Sequence, residues 1–361
     1  MFLLQFKIRL LIAGVVLGLC GGNLTGLLAD DRNYESPEIR RAVELLQKNG
    51  AHVDFYENYE EQTTYYVNLY GTRANDENLQ ALLSLPRVER LWLGAGFELS
   101  PRTWNVLTQL SELEHLHVFG KATDEDLMQI ARFSNLISLQ LDGKQFTPVG
   151  LWYLEELTHL EQLSIKVDAD SGDYFSYLAR LPKLSQLSIY DDNAQDVSLN
   201  GIENLRELHT LSISLGNIPG RTLQSLASLS KLKTLTLSNA TFQSADMQLF
   251  RKLSGVEHLN LHNCEFPADN FDAFEGLEKV QHVAISKSNL IDAAMLPLSK
   301  LKSLNYLYLH LTPITDKGLE NLRDAQRLET LHLRNTDVTQ AGIDWLSEKL
   351  PNLRIIAPLG N

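Results

Sequence analysis

Eleven times between residues 88 and 333 the chain writes the same figure of apolar and polar positions, apolar-x-x-apolar-x-apolar. The segments are VERLWL (88–93), LEHLHV (113–118), LISLQL (136–141), LEQLSI (160–165), LSQLSI (184–189), LHTLSI (208–213), LKTLTL (232–237), VEHLNL (256–261), VQHVAI (280–285), LNYLYL (304–309) and LETLHL (328–333). Their second apolar residues form a ruler: Leu91, Leu116, Leu139, Leu163, Leu187, Leu211, Leu235, Leu259, Val283, Leu307 and Leu331. From Leu139 onward each step is 24 residues. Val67 with Leu69 starts the series one step before Leu91, and Ile356, 25 residues after Leu331, closes it, so thirteen turns are expected.

Within one unit the apolar-x-apolar core has period two, which buries both apolar residues and turns the residue between them outward, as in a short strand covered on one side. A helix is expected about eight residues later. Ser100-Pro101 and Thr147-Pro148 place a capping hydroxyl ahead of proline at the first helical position, while Thr123, Ser244, Thr315 and Thr339 supply hydroxyl caps alone. Segments such as GLENL (318–322) and GIDWL (342–346) carry the spacing of a helix face, and Phe133, Phe250, Phe274 and Trp345 are expected in the core. A strand plus a helix of this size cannot bury its leucines alone, and stacking of units supplies the common core.

The chain resembles leucine-rich repeat proteins over residues 63–361. Segments such as TPITDKGLENLRDAQRLETLHLRNTDVTQAGIDWLSEKLPNLRII resemble the TDxGL repeats of exported planctomycete-type bacterial proteins, and the repeat style is also similar to arrays on eukaryotic F-box proteins. The resemblance implies an α/β solenoid, a curved horseshoe with a parallel concave sheet and convex helices. At about 4.8 Å per strand, thirteen strands span roughly 60 Å, a surface suited to a macromolecular partner. One departure stands out: the inward asparagine common after the strand is replaced by Lys, Asp, Gly, Cys, Ser or Thr. Residues 30–62 read as an N-terminal cap, a helix ending at Asn49-Gly50 followed by an extended piece.

Residues 1–29 read as a signal peptide or membrane anchor. Lys7 and Arg9 precede an apolar run from Leu10 to Cys20, and Leu27-Leu28-Ala29 before Asp30 fits a cleavage site. Leu10 to Ala29 is also long enough for an uncleaved anchor, and Leu17-Gly18-Leu19-Cys20 is similar to a lipoprotein box. Export to the periplasm, cell envelope or medium is therefore expected. The 69 leucines build the repeat, and the net charge of −13 argues against nucleic acid and anionic membrane surfaces as partners. Cys20 and Cys264 are the two cysteines, too few for a disulfide framework or a four-cysteine zinc site, and Cys264 is expected to be structural.

Candidate chemistry lies between the leucines. Each strand exposes three positions, before, between and after its apolar pair, and seven of the ten histidines fall there: His115, His117, His258, His262, His282, His310 and His332. Two stations are expected on the concave face. One holds Trp92, His115, His117 and Phe119; the other holds His258, Asn260, His262, His282, Tyr306, Tyr308, His310, His332 and Arg334. Aromatic and imidazole groups beside arginine are what binding hot spots use, although half-exposed strands also favour such residues for packing alone. The histidines predict an affinity that changes between about pH 5 and 7.5.

Metal chemistry is a weaker expectation. On one strand His258 and His262 stand about 13 Å apart, so only His258 with His282 on the next strand suits chelation. The segments 168–173 and 191–196 put Asp168, Asp170, Asp173, Asp191, Asp192 and Asp196 on a solvated acidic rim, similar to but not matching a calcium loop. The sequence has no Walker loop, GxSxG elbow or HExxH. The expectation is a scaffold that is no enzyme, needs no cofactor and binds a protein. The alternatives are a substrate-recognition subunit similar to F-box leucine-rich repeat proteins, and a carbohydrate- or metal-binding cell-surface protein.

Overall fold

A computed structural model describes residues 36–58, 62–72, 76–96, 99–143, 145–166, 174–195 and 199–357. The chain divides into two compact units, 1–41 and 42–361. Of the first, only 36–41 are described, the start of the helix Pro37–Lys48. The signal-like segment 1–29 lies outside the described residues.

The second unit is built on one open sheet of fourteen strands in strict chain order. They are β1 (His52–Glu57), β2 (Thr63–Leu69), β3 (Val88–Leu93), β4 (His115–Val118), β5 (Ser138–Leu141), β6 (Gln162–Lys166), β7 (Gln186–Gln195), β8 (Thr210–Pro219), β9 (Thr234–Thr241), β10 (His258–His262), β11 (His282–Ser286), β12 (Tyr306–His310), β13 (Thr330–His332) and β14 (Arg354–Ile356). β1 pairs antiparallel with β2, and from β2 onward every pairing is parallel. The helix before β1 ends where Asn49-Gly50 predicts. Gly50 takes φ +91°, its N–H reaches Gln47 O, and Ala51 N–H reaches Leu46 O, which is a Schellman closure.

The register follows the leucine ruler. Leu235, Leu259, Val283, Leu307 and Leu331 stand opposite one another, and all are buried. At the last strand the register corrects the expected ruler: Leu331 faces Ile355, so the step stays at 24, and Ile356 falls in the outward column beside His332. Between strands the chain crosses the back of the sheet in short helices. They are α-helical in Pro101–Leu107 and Gln340–Lys349, and 3₁₀ in Pro148–Glu156, Gly220–Ser228 and Phe271–Gly276. Phe133, Phe250 and Phe274 are buried there, with Phe250 and Phe274 in edge contact at 4.8 Å. Trp345 is only half-buried, and Lys349 Nζ lies 6.0 Å from its ring centre.

The hydroxyl caps divide into two groups. Ser100, Thr123, Thr315 and Thr339 accept helix N–H groups as expected, Thr123 in a capping box with Asp126. Thr147 and Ser244 do not cap; their hydroxyls donate to Asp124 Oδ2 (2.8 Å) and Asp269 Oδ1 (2.5 Å). Thr147 N–H also reaches Asp124 Oδ1 at 2.7 Å, and Thr315 repeats the pair on Asp292 at 2.8 and 2.6 Å. Each of these carboxylates ties its own repeat to a neighbouring one.

A second ladder runs along the corners of the five units that begin with β9 to β13. Asn239, Asn263, Lys287, Leu311 and Asn335, 24 residues apart, all take positive φ between 50° and 64°. Asn263 Nδ2 donates to Asn239 Oδ1 (2.7 Å), which itself donates through Nδ2 to Leu215 O (2.5 Å). Asparagine is thus present at the corner, one residue before the inward column held by Cys264, Ser288 and Thr312. Cys264 is buried, its N–H donates to Ser288 Oγ (3.0 Å), and burial pushes the thiol up to about 11, as a packing residue requires.

Candidate functional site

The outward face of the sheet carries the side chains that precede, separate and follow each buried pair. Its two stations differ in chemistry. In the first, Trp92 meets Tyr66 edge-on at 5.4 Å, His117 at 5.4 Å and Phe119 at 6.1 Å, while Tyr70 meets Phe119 at 4.9 Å. His117 stacks on Phe119 with ring centres 3.6 Å apart. It was expected to be an outward contact residue but is only 7% exposed, and its Nε2 bonds Asp142 Oδ2 at 2.9 Å. Asp142 also accepts from Gln140 Nε2 (3.2 Å) and from the Tyr190 hydroxyl. Burial works against the Asp142 carboxylate, but the hydrogen bonds from His117 and Tyr190 hold its pKa below the usual range. This network is internally satisfied, and its exposed edge is Tyr70, 60% accessible.

His115 stands half-buried in the outward column beside Arg90. Burial, with the positive charge of Arg90 added, pulls its pKa down to about 4. Glu89, Glu114 and His115 place ligand atoms within 4.8 Å of one another, the one group of three metal-type ligands among the described residues. Sequence reading missed it because Glu89 and Glu114 lie outside the three outward positions. Its charge is already balanced: Arg90 Nε lies 3.4 Å from Glu89 Oε1, Arg87 holds Glu114 at 3.2 Å and Glu112 at 3.0 Å, and the Tyr56 hydroxyl donates to Glu89. A cation here would stand beside two guanidinium groups, so the cluster reads as an ion-pair network.

The second station is a continuous row of rings across four strands. His258 and His282 lie 4.6 Å apart, His282 stacks on Tyr306 at 5.4 Å and 18°, and His332 lies 5.3 Å from both Tyr306 and Tyr308. Tyr308 and His310 close the row at 5.9 Å. His310 donates Nδ1–H to Arg334 O (2.9 Å), which leaves Nε2 as an outward acceptor, and His262 Nδ1 bonds Ser286 Oγ (2.8 Å). Asn260 donates to Thr236 Oγ1 at 3.2 Å. The rings of His258, His282 and His332 and the hydroxyls of Tyr306 and Tyr308 have no hydrogen-bond partner among the described residues and face outward half-exposed. The expected second station is therefore brought together as one surface, with Arg334 exposed at its end.

Of the proposed acidic rim, Asp168, Asp170, Asp173 and Asp196 lie outside the described residues, as does the side chain of Asp192. Asp191 corrects the expectation: it is 1% exposed, turned inward on β7 instead of lining a solvated rim. Among the described residues no helix is long and apolar enough to cross a membrane.

No protein-family model matches the chain, and no curated protein is similar to it. Solved structures do match. An internalin from Listeria monocytogenes is 17% identical, with a TM-score of 0.54 over 91% of this chain and 96% of that one. A leucine-rich repeat protein from Leptospira interrogans is 16% identical, with a TM-score of 0.35 over 78% of this chain and 92% of that one. At these identities the likeness concerns the fold: an open sheet of mostly parallel strands alternating with short helices, a leucine-rich repeat solenoid.

Proposed function

We propose that the chain is a non-catalytic scaffold that binds a protein partner on the outward, concave strand face. The observation that carries this reading is the row of rings His258, His282, Tyr306, Tyr308 and His332, whose polar atoms are offered outward instead of being spent within the chain. Such a row combines large, stiff contact area with donors and acceptors, the composition of interface hot spots. The contact set is His258, Asn260, His262, His282, Tyr306, Tyr308, His310, His332 and Arg334. Trp92 and Phe119 extend it at the far end through the edge that includes Tyr70, and His115 and His117 act as support beneath.

The signal-like residues 1–29 and the TDxGL repeats support an exported, planctomycete-type protein of the cell envelope, with residues 63–361 as the binding array. Affinity capture from the envelope fraction tests the reading. Wild type retains a partner that Tyr308→Ala/His332→Ala loses, whereas equal recovery by both proteins removes the outward face as the binding surface.

A further inference from the structure

On the outward lattice of β10, β11 and β12, Ala284 stands directly between Asn260 and Tyr308. The outward positions around it belong to His258, His262, His282, Ser286, Tyr306 and His310. A methyl group ringed by imidazoles and phenols makes a shallow recess about one side chain deep, because neighbouring strands stand about 4.8 Å apart and alternate residues along a strand about 6.6 Å.

The outward positions around this recess carry no carboxylate. The outward positions of β10 to β14 and the corner residues Asn263, Lys287, Leu311 and Asn335 include Arg334, Arg354, Lys287 and five histidines, and no aspartate or glutamate. That is unexpected in a chain with 45 acidic and 32 basic residues. The nearby Glu257, on the edge of the face, is held by Lys233 at 2.5 Å. The first station, in contrast, has the Asp142 carboxylate at its centre.

We propose that the Ala284 recess receives an aspartate or glutamate side chain from an acidic peptide segment of the partner, with Arg334, Arg354 and Lys287 flanking that segment. The inference rests on the scaffold reading above and adds the partner's chemistry and its seat. A carboxylate in the recess meets N–H donors from His258 and His282, whose rings are not engaged within the chain, and hydroxyl donors from Tyr306 and Tyr308, while the cations speed and orient the encounter. An acidic peptide fits better than a rigid polyanion because the recess takes one side chain at a time.

The test uses the full chain and a fluorescein-labelled glutamate-rich peptide, with its glutamine counterpart as control and heparin as competitor, read by anisotropy. The glutamate peptide binds and the glutamine peptide does not. Ala284→Leu, which fills the recess on the solvent side of the sheet, weakens binding about tenfold or more, Ala284→Ser leaves it within about twofold, and Arg334→Ala weakens it several-fold. Unchanged melting of each variant separates these losses from unfolding. Absent binding, or binding indifferent to Ala284→Leu, overturns the acidic-peptide inference. So does heparin binding that the glutamate peptide cannot displace, which assigns the face to an anionic glycan. The scaffold reading falls separately, on equal partner capture by the Tyr308→Ala/His332→Ala protein.

Discussion

The carboxylate of Asp316 accepts both the backbone N–H of Thr339 (2.8 Å) and its hydroxyl (2.6 Å), one repeat further on. The same threonine Oγ1 accepts Gly342 N–H at the start of its own helix (3.4 Å), and a Cβ on Gly342 would stand 2.2 Å from Asp316 Oδ1. The TDxG motif is thus a joint. Its threonine reaches back to the previous aspartate, its own aspartate waits for the next threonine, and its glycine clears the space between. Asp124 with Gly150 and Asp292 with Gly318 repeat the crowding at 2.1 and 2.5 Å. Asp316→Ala should destabilise the array by about 1–2 kcal/mol through loss of two charge-assisted hydrogen bonds. Gly342→Ala should cost a similar amount by pushing the carboxylate aside. Urea unfolding checks both, and the double variant should cost less than the sum because the two changes act on one joint.

Leu311 occupies a corner where its counterparts are asparagine at three of the four other positions, and it takes φ +52° while 42% exposed. A branched apolar side chain that is 42% exposed gains little from burial and loses on backbone conformation in the left-handed region. Leu311→Asn should therefore raise stability by about 0.5–1 kcal/mol, seen as a higher urea midpoint at unchanged slope. An unchanged or lower midpoint would show that Leu311 packs usefully in the folded chain.

Acid should weaken the fold through His115. Burial, then the charge of Arg90, pulls its pKa down to about 4 in the folded chain, against about 6.5 for an ordinary histidine. Above 6.5 neither state is protonated and no penalty arises. As pH falls from 6.5 towards 4 the unfolded chain binds a proton that the folded chain refuses, and stability drops by on the order of 2–3 kcal/mol. His115→Gln should remove that part of the pH dependence. Denaturation midpoints at pH 7.5 and 4.5, compared between wild type and variant, measure it.

Partner binding should respond to acid in the opposite sense. His262 is lowered by burial, then by Lys287 and His310; His282 by burial, then by His258; His332 by burial, then by Arg354. All three are therefore mainly neutral at pH 7, and an acidic segment laid on them raises their pKa values, so binding takes up protons. Affinity for the glutamate-rich peptide should rise as pH falls from 7 towards 5.5, and the slope should shrink in His262→Gln/His332→Gln. A pH-independent affinity would place the histidines outside the contact.

Much of this was legible in the residues. Period-two leucines on a 24-residue grid define which side chains are buried and which strands are neighbours, because each unit is too small to bury its own apolar face. The grid also gathers His258, His282, Tyr306 and Tyr308 on one surface, since parallel register places equal positions of successive repeats side by side. The same reasoning placed His117 in the outward column, where it stands, without showing that it is covered there, and mistook Asp191 for a solvated group. Their burial depends on Asp142, Phe119 and Trp92 closing over His117, and on the inward turn of β7 at Asp191, neither of which follows from repeat position.

By itself, the sequence determined the solenoid, its strand order and the columns of the outward face, because all three follow from a local pattern repeated along the chain. Tertiary structure decided the rest. It set which outward residues are spent on one another, as at Asp142, and which remain available, as around Ala284. It also gave the TDxG motif its meaning, for the partner of Asp316 lies 23 residues away in the next repeat, and only stacking brings carboxylate and hydroxyl within hydrogen-bond distance.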